Sequence, residues 1–455
     1  MFTLKYRLRV LVMITSLVCL AAEGRAQSQS TRSAEVLTLE QAVALALRDN
    51  PQIKNAALNV SKPDREFAAL KTRRLPNFSF EAIGSQQLTP IDFTFEKGVF
   101  GTFPEIGPIP AENTKISTPL KPTAIFTTRI TQPLSQLYET KLNLKLLKLK
   151  GEIAQEELRL KQQQIVRDVK RAYYAVLQTE SEIEAIAETI RMYKELDRLT
   201  GDYVAQQVAL RTESLDVKSR LAKSEYDLTT LVDKAGIQKQ QLNQLLGRDV
   251  LTEFTVSAVP DAAGFEADLA AARARALQQR PELKEARLKV KQAEGDRRVK
   301  KSEFIPDVSA SFQHISTANF NSFIPKSYMN VGITVSWEVF DWGRKKHELA
   351  EKDLAIEQAR NAVKDAESGV LIEVNDKYNK LRQARQLFAV TQMDREAAAE
   401  NVRVLTNRYK AQMSLLKDVL QAQSELEQAT NQGRQALLSF WTAKADFETA
   451  IGEDK

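Results

Sequence analysis

The stretch of sequence that decides the fold runs from Leu39 to Pro51 and reads LEQAVALALRDNP. It returns in degraded form 230 residues later, from Leu269 to Pro281, as LAAARARALQQRP. At the same offset Leu75-Pro76 meets Ile305-Pro306, and each pair precedes residues that alternate between apolar and polar. Because two separate landmarks share one offset, we infer that the chain contains an internal duplication.

The two copies differ by an insertion in the first. Farther along the chain, Ile130 aligns with Val335 at an offset of 205, so about 25 extra residues lie between the landmarks of the first copy. Six of the 14 prolines fall within residues 88–122. This density of proline predicts a long irregular loop there.

Very long helices dominate both copies. Residues 344–408 contain one glycine and no proline, which predicts a helix of about 65 residues and roughly 95 to 100 Å. Within it Leu349, Ile356, Val363 and Val370 recur every seven residues. Such a repeat demands a partner helix packed as a left-handed coiled coil. A soluble coiled coil would show the same heptads, so this pattern alone leaves that alternative open.

Four shorter helical stretches are candidate partners, and two of them placed end to end match one long helix. Each is about 35 residues long, and they cover residues 39–75, 212–247, 267–304 and 416–451.

Between the helices lie short stretches with strand periodicity. Phe78, Phe80 and Ala82 alternate with polar residues, and Val331 and Ile333 do the same in the second copy. Strands of about 10 residues with one apolar face suit a transmembrane barrel, although a half-buried soluble sheet has the same pattern. Of the 19 phenylalanines, 11 fall within 77–135 and 307–342, which favours a membrane setting with aromatic girdles. Four strands cannot close a barrel, whose minimum is about eight, so we expect several chains to share one.

The chain begins with the pattern of a secretory signal. Lys5, Arg7 and Arg9 precede an apolar run from Val10 to Ala22, and small residues flank position 25. We predict a signal peptide over 1–26 that is removed. The run is too short for a typical membrane span. Lipidation of the sole cysteine, Cys19, is not expected, because Val18 precedes it where that motif needs a small residue.

Composition excludes several classes of function. A single cysteine argues against a disulfide scaffold and a cysteine-cluster zinc site, and two histidines leave little for histidine-based metal catalysis. His314 and His347 show no metal-ligand pattern, so we expect no metal and no cofactor. Removing the predicted signal lowers the net charge from +6 to +3, so the basic surplus indicates no nucleic-acid partner. No catalytic motif emerges, so an enzyme is not expected.

These observations define two predicted repeats after the signal. The first, 27–250, contains strands at about 77–88 and 123–135, a long helix at about 140–202 and a return helix at about 212–247; the second, 251–455, contains strands at about 307–317 and 328–340, a long helix at about 344–408 and a return helix at about 416–451.

The chain resembles the TolC-like outer-membrane efflux family. The resemblance covers about 37–452 and lies in LEQA at 39–42, Leu75-Pro76, the FDWGR motif at 340–344 and the duplication itself. It implies a mainly α fold with a β-barrel part, in which a homotrimer forms a 12-stranded barrel of four strands per chain in the outer-membrane lipid. A long coiled-coil helical barrel would continue it across the periplasm. The implied partners are a periplasmic adaptor (membrane fusion) protein and, through it, an inner-membrane pump.

The resemblance also implies functional positions at the helix tips. The family places Tyr-x-x-Gly between the long helix and the return helix, where it marks adaptor contact and gating. Here the matches are Tyr203 with Gln206 and Tyr409 with Gln412, and Gln207 is an equal candidate for the glycine position. Glutamine replaces glycine at both tips, which puts a left-handed turn there in question.

Two further positions concern the pore. Family members often place two acidic residues three apart beyond the second tip; Asp418 matches the first and Gln421 occupies the second. Carboxylates crowded on a symmetry axis would attract cations and form a pore constriction. A solvated Asp418 on a helix face remains an alternative. The strand alternation places Arg129 on the side of the barrel lumen, where it would tune the charge of the lumen. A solvated arginine near the rim is an equally open alternative.

We therefore predict an exit channel of a tripartite efflux or type I secretion system, spanning the outer membrane and reaching into the periplasm. It would conduct substrates passively from the pump and be gated at the periplasmic helix tips. The alternative is a soluble periplasmic coiled-coil adaptor or structural protein. Neither the cargo nor the pump family is encoded in these motifs.

Overall fold

The computed structural model describes residues 35–117, 120–207, 210–257, 268–318 and 325–453; the predicted signal peptide lies outside them. The helices are α1 (Leu39–Asp49), α2 (Pro51–Thr72), α3 (Gln136–Ala205), α4 (Arg211–Leu246), α5 (Leu269–Gln279), α6 (Pro281–Ser302), α7 (Arg344–Lys410) and α8 (Leu416–Ala450). The strands are β1 (Glu35–Leu37), β2 (Asn77–Gln86), β3 (Asp92–Phe95), β4 (Thr102–Phe103), β5 (Gly107–Pro108), β6 (Thr114–Ser117), β7 (Pro122–Pro133), β8 (Phe254–Val256), β9 (Asp307–Ala318) and β10 (Ser327–Ser336).

The same order of elements occurs twice. Two short helices, two strands, a long helix and a return helix form α1, α2, β2, β7, α3 and α4, and again α5, α6, β9, β10, α7 and α8. The long helices have 70 and 67 residues. In each copy the second short helix and the return helix both pack on the long helix. The heptad pattern is satisfied in this way, with two shorter helices along one long one.

The stretches 39–75 and 267–304, each predicted as a single helix, are both divided in two. Each consists of a helix of 11 residues followed by a helix of 22 residues, and the second helix begins with a proline. At the first break the Asn50 side chain accepts hydrogen bonds from the backbone N–H groups of Gln52 and Ile53, at 2.8 and 3.3 Å. At the second, Arg280 pairs with Glu373 at 2.7 Å. The pattern missed these breaks because apolar periodicity continues through them.

Three other expectations need correction. The long helix of the first copy begins at Gln136, four residues before the predicted start. Strand β10 ends at Ser336, so 337–340 lies outside the sheet. The proline-rich insertion, predicted as an irregular loop, contains two hairpins, in which β3 pairs with β6 and β4 pairs with β5. Prolines at strand ends and between strands are compatible with such short pairings.

The four long strands form one antiparallel sheet in the order β10-β9-β7-β2. One row across it contains Phe78, Ile130, Phe312 and Val331, and the adjacent row contains Ser79, Arg129, Gln313 and Asn330. Adjacent rows point to opposite faces, so one face is largely apolar and the other polar. Within the described residues, β2 and β10 each leave one edge unpaired.

Buried clusters lie between the helices. The first joins α1, α3 and α4 to the small parallel sheet of β1 and β8; there Tyr173 donates from its hydroxyl to the carbonyl of Leu37 or Ser257, at 2.9 and 2.8 Å. The second packs α5 and α7 against α8 around Phe440 and Phe447. The third lies at the far end of the long helices. No described helix combines the length and apolar character needed to cross a bilayer.

Candidate functional site at the helix tips

Each long helix ends in a turn that reverses the chain. We call residues 206–210 the first tip and 411–415 the second tip; 208 and 209 are not described. In the second tip the N–H of Gln412 donates to the carbonyl of Tyr409 at 2.9 Å, and that of Met413 donates to Arg408 at 2.8 Å. These two bonds define a Schellman motif, a common end of an α-helix. In the first tip the N–H of Gln207 makes the corresponding bond to Val204 at 3.1 Å.

A glutamine takes the left-handed position of each turn. Gln207 and Gln412 both have φ of 59°, whereas Gln206 has φ of −87°. Of the two candidates for the glycine position that the sequence left open at the first tip, Gln207 has the left-handed conformation and Gln206 does not. The reason is where the helix ends: α3 stops at Ala205, and the left-handed residue comes two positions later. For a residue with a Cβ, this conformation costs about 1 to 2 kcal/mol.

The predicted tip tyrosines are brought together. The rings of Tyr203 and Tyr409 are 6.0 Å apart in an edge-to-face arrangement. They belong to what we call the tip cluster, the third buried cluster, which joins both helical hairpins. Its buried members are Tyr193, Leu196, Val217, Tyr409, Leu416, Val419 and Leu420.

Tyr409 is the member of the tip cluster whose polar group has no described hydrogen-bond partner. Its side chain is 7% exposed, and its hydroxyl has no hydrogen-bond partner among the described residues. Burial raises the pKa of the phenol, and the nearby carboxylate of Glu213 acts in the same direction. A buried hydroxyl without a partner costs about 1 to 3 kcal/mol, so this contact is easily separated.

Asp418 and Gln421 lie on one exposed stripe of α8. One carboxylate oxygen of Asp418 accepts the backbone N–H of Leu415 at 3.2 Å, which caps the start of the helix. The amide of Gln421 donates to Glu425 at 3.0 Å. Glu425 continues the same exposed face one turn farther on, a position that sequence reasoning overlooked. Its spacing of seven residues from Asp418 was the available signal.

A second group of polar contacts joins three helices about two turns beyond the tip cluster. We call it the Glu427 cluster: Tyr193 of α3, Arg220 of α4, and Gln423 and Glu427 of α8. Burial is the main cause that raises the pKa of Glu427, while hydrogen bonds from Gln423 and Tyr193 and the charges of Arg220 and Lys223 oppose it. Burial also raises the pKa of Tyr193. One oxygen of Glu427 is buried without a described partner.

A cleft of about 730 Å³, lined by both polar and apolar side chains, adjoins this cluster between α3, α4 and α8. Glu182, Asp227, Lys234 and Arg434 are among its lining residues. Burial lowers the pKa of the Arg434 guanidinium, although the charges of Glu182 and Glu184 counter it. Sequence analysis missed both the cluster and the cleft. The signal was present in α8, whose seam changes from Leu416 and Leu420 to polar residues.

Arg129 lies in β7, paired with Ser79 and Gln313 on the neighbouring strands. Its side chain is exposed on the polar face of the sheet. Glu81, one diagonal step away on the same face, supplies an opposite charge that the sequence pattern did not reveal. Within the described ranges, no three residues of the His, Cys, Asp and Glu types are grouped to hold a metal ion.

Solved structures of similar fold include outer-membrane channels. The Campylobacter jejuni CmeC outer membrane channel is 15% identical, with a TM-score of 0.74 over 91% of this chain and 85% of that one. The open state of the Neisseria gonorrhoeae MtrE outer membrane channel is 16% identical, with a TM-score of 0.69 over 91% and 89%. The outer membrane protein VceC from Vibrio cholerae is 14% identical, with a TM-score of 0.70 over 91% and 96%. No curated protein sequence matches the chain.

The sequence profile of one family matches the chain twice. That family is described as outer membrane efflux protein, and the matches cover residues 42–248 and 272–453. They coincide with the two repeats and together span well over half of the chain. The predicted resemblance, the mainly helical duplicated fold and the outer-membrane location are confirmed. The chain belongs to the outer membrane efflux protein family and is an outer-membrane channel of tripartite efflux that extends into the periplasm.

Proposed function

We propose that three copies of the chain form one duct. The observation that carries this is the four-stranded sheet, which has an apolar face, a polar face and, as far as the structure describes the chain, two unpaired edges. Unpaired edges are a liability in an isolated chain, and closure into a barrel removes them. Pairing of β2 with β10 of the next copy would give a barrel of about 12 strands, with the apolar face toward lipid.

We further propose that the helix tips are the gate and the docking end. A periplasmic adaptor would contact the turns around Gln207 and Gln412 and couple the duct to an inner-membrane pump. The hairpin of α7 and α8 would then move relative to that of α3 and α4. The contacts that resist this movement are the Tyr203–Tyr409 pair and the Glu427 cluster. Both contain buried polar atoms that have no hydrogen-bond partner among the described residues, so we expect the closed arrangement to be only modestly favoured.

The exposed stripe of α8 is our candidate for the pore constriction. Three copies of Asp418, Gln421 and Glu425 around an axis would form two rings of carboxylates separated by a ring of amides. Such rings attract cations and repel anions. Arg129 and Glu81 would face the lumen of the barrel, where their opposite charges leave little net field.

A bilayer experiment tests this function. Native mass spectrometry of the full chain, extracted from outer membranes in detergent, should show a mass of three chains. Reconstituted channels should conduct ions and prefer cations in a salt gradient. Asp418→Ala should weaken that preference, and Asp365→Ala, at an exposed position far from the tips, should leave it unchanged. A monomer, or a trimer without conductance, would contradict the proposal.

A further inference from the structure

The strand–helix junctions carry an excess of positive charge. Four segments flank the ends of the strands at the helical side of the sheet: 71–76, 134–145, 300–305 and 337–348. Together they contain ten basic residues and five acidic ones. This surplus is local, since the chain as a whole contains 65 basic and 59 acidic residues.

The acidic residues of these segments are already engaged. Glu303 pairs with Lys300 at 2.7 Å, and Glu348 pairs with the same lysine at 2.7 Å. Glu338 pairs with Arg344 at 2.7 Å, and Asp341 accepts the backbone N–H groups of Gly343 and Lys345. Glu139 accepts a hydrogen bond from the Asn143 amide at 3.4 Å. The acidic groups of these segments therefore leave the surplus cations without a partner from the segments themselves.

Four lysines stand out because each has a lysine at the equivalent position of the other repeat. Lys71 and Lys301 are related by the offset of 230, and Lys141 and Lys346 by the offset of 205. All four are exposed, and none makes an ion pair with any residue that the structure describes. We call them the basic collar. Each lies within ten residues of the end of a strand.

Helix pairing places the collar lysines of each copy at similar heights. In the first copy, Lys150 of α3 pairs with Glu66 of α2 at 2.8 Å, and Lys148 lies 5.7 Å from the ring of Phe67. Because α2 and α3 run antiparallel, the same register places Lys71 opposite the part of α3 that directly follows Lys141. In the second copy, the Lys300–Glu348 pair brings Lys301 level with Lys346 in the same way.

An exposed apolar band adjoins the collar on the side of the sheet. Leu75 and Ile305 occupy equivalent places before β2 and β9 and are exposed in both copies. Trp337, Phe340 and Trp342 follow β10; Trp342 is 88% exposed and its ring packs edge to face on Phe340, at 4.8 Å. Apolar and aromatic groups beside lysines form the pattern of a membrane interface, in which the lysines reach toward headgroups.

We propose that the basic collar binds the headgroups of anionic glycerophospholipids in the periplasm-facing leaflet of the outer membrane. This inference rests on the proposed function, because the collar meets that leaflet only if the sheet is the membrane-spanning part. Charge complementarity selects the ligand: lysines that make no ion pair within the described part of the chain, beside an apolar band, match a phosphate that carries acyl chains. In a trimer, the four lysines per chain would form a ring around the whole circumference of the duct.

Tryptophan fluorescence supplies a direct test. The chain has three tryptophans, of which Trp337 and Trp342 lie in the apolar band. The trimer would be placed in vesicles of phosphatidylethanolamine with a minor fraction of phosphatidylglycerol. In one sample the phosphatidylglycerol carries bromine on its acyl chains; in the other an equal mole fraction of the phosphatidylethanolamine does. Brominated phosphatidylglycerol should quench the tryptophans more strongly, since each cation near an anionic surface favours the anionic lipid roughly five-fold.

Matched variants separate the collar from general charge. Replacing Lys71, Lys141, Lys301 and Lys346 by glutamine should abolish the difference between the two brominated lipids. The same change at four exposed lysines away from the junctions should preserve it: Lys62, Lys218, Lys291 and Lys364. Equal quenching by the two lipids in the unaltered chain, or equal loss in both variants, would overturn the proposal.

Two further outcomes would point to a different ligand or to a different location of the sheet. If inorganic phosphate at millimolar concentration removes the preference, the lysines bind free phosphate and the lipid assignment is wrong. If neither brominated lipid quenches the tryptophans, the sheet is not in the membrane, and the proposed function fails together with this inference. Quenching by both lipids without preference leaves the channel intact and rejects the collar alone.

Discussion

The two helical hairpins share one backbone plan but differ in what they bury. The offset of 205 holds through both tips: Gln207 corresponds to Gln412, and Glu213 to Asp418. Farther along the return helices, the positions related by this offset carry different types of side chain. Where α8 has Gln423, Glu427 and Arg434, α4 has Lys218, Ala222 and Thr229.

This difference predicts which hairpin is easier to move. Glu427 and Arg434 of α8 both have pKa values shifted against their charged forms by burial. Their counterparts in α4 have no charge to bury. Ionisable groups that lose solvation stabilise a closed arrangement less than apolar groups would. We therefore expect the hairpin of α7 and α8 to be the less stable of the two, and the following predictions test this comparison in order of decreasing effect.

Tyr409→Ala should have the largest effect. It removes a buried ring from the contact between the hairpins, and loss of a buried aromatic costs about 3 kcal/mol or more. Amide hydrogen exchange should accelerate in residues 405–420 and remain slow in the sheet. Tyr226→Ala is the matched control, because that ring is 71% exposed. Unchanged exchange near the second tip would show that the ring does not hold the hairpins together.

Tyr409→Phe should act in the opposite direction. The hydroxyl of Tyr409 is buried without a described partner, so removing it while keeping the ring relieves about 1 kcal/mol of desolvation cost. Exchange in 405–420 should slow. Tyr173→Phe is the control, because that hydroxyl donates to backbone carbonyls and its loss should destabilise the chain. Faster exchange in Tyr409→Phe would indicate a partner for the hydroxyl.

Stability near the Glu427 cluster should depend on pH. Because burial raises the pKa of Glu427 in the folded chain, the folded form binds a proton more tightly than the unfolded form. The contribution of this carboxyl is greatest below its ordinary value of 4.5 and is lost as the pH rises through its raised pKa. The protection factors of the amides in residues 423–430, taken relative to the intrinsic exchange rate at the same pH, should therefore be higher at mildly acidic pH than at neutral pH.

Glu427→Gln tests the origin of that pH dependence. The amide resembles the protonated acid, so at neutral pH the free energy of opening should be higher in the variant than in the parent chain. The increase should be about 1 kcal/mol or less, since the site is partly solvated. Its pH dependence should be flatter than that of the parent chain. Glu425→Gln, on the exposed stripe, should leave the dependence in place. A profile that survives Glu427→Gln would point to another titrating group.

The smallest effect is expected at the left-handed glutamines. Gln412→Gly and Gln207→Gly should each stabilise their tips by up to about 1 kcal/mol, because glycine adopts positive φ without a Cβ penalty. Gln206→Gly should stabilise nothing, because its φ is negative. Thermal unfolding and local hydrogen exchange measure both changes. A gain at Gln206 instead of Gln207 would place the end of α3 one residue earlier.

Features with a short repeat were accessible from the sequence. Alternation around Phe78 and Val331 identified the strands, and heptads such as Leu349 to Val370 identified the long helices. These signals are local: the side of an element on which a residue lies follows from its spacing alone. The duplication added a check that one isolated pattern cannot provide, because each element was seen twice.

The site was only partly accessible. Tyr203, Tyr409 and Asp418 could be named in advance, but spacing does not show that the two rings touch or that Asp418 caps its own helix. The position of Gln207 depended on where α3 ends, and helix ends are set by packing as well as by local preference. Glu427 looked like any charged residue of a helix, because its burial arises only from α3 and α4.

By itself the sequence determined the periodic part of this protein: two repeats, their strands and helices, and the family to which they belong. Tertiary structure alone decided which side chains meet between elements, namely the ring pair at the tips, the Glu427 cluster and the level at which the collar lysines lie. The physical reason is that periodicity reports the face of one element, whereas contact and burial depend on the register between two elements distant in the chain.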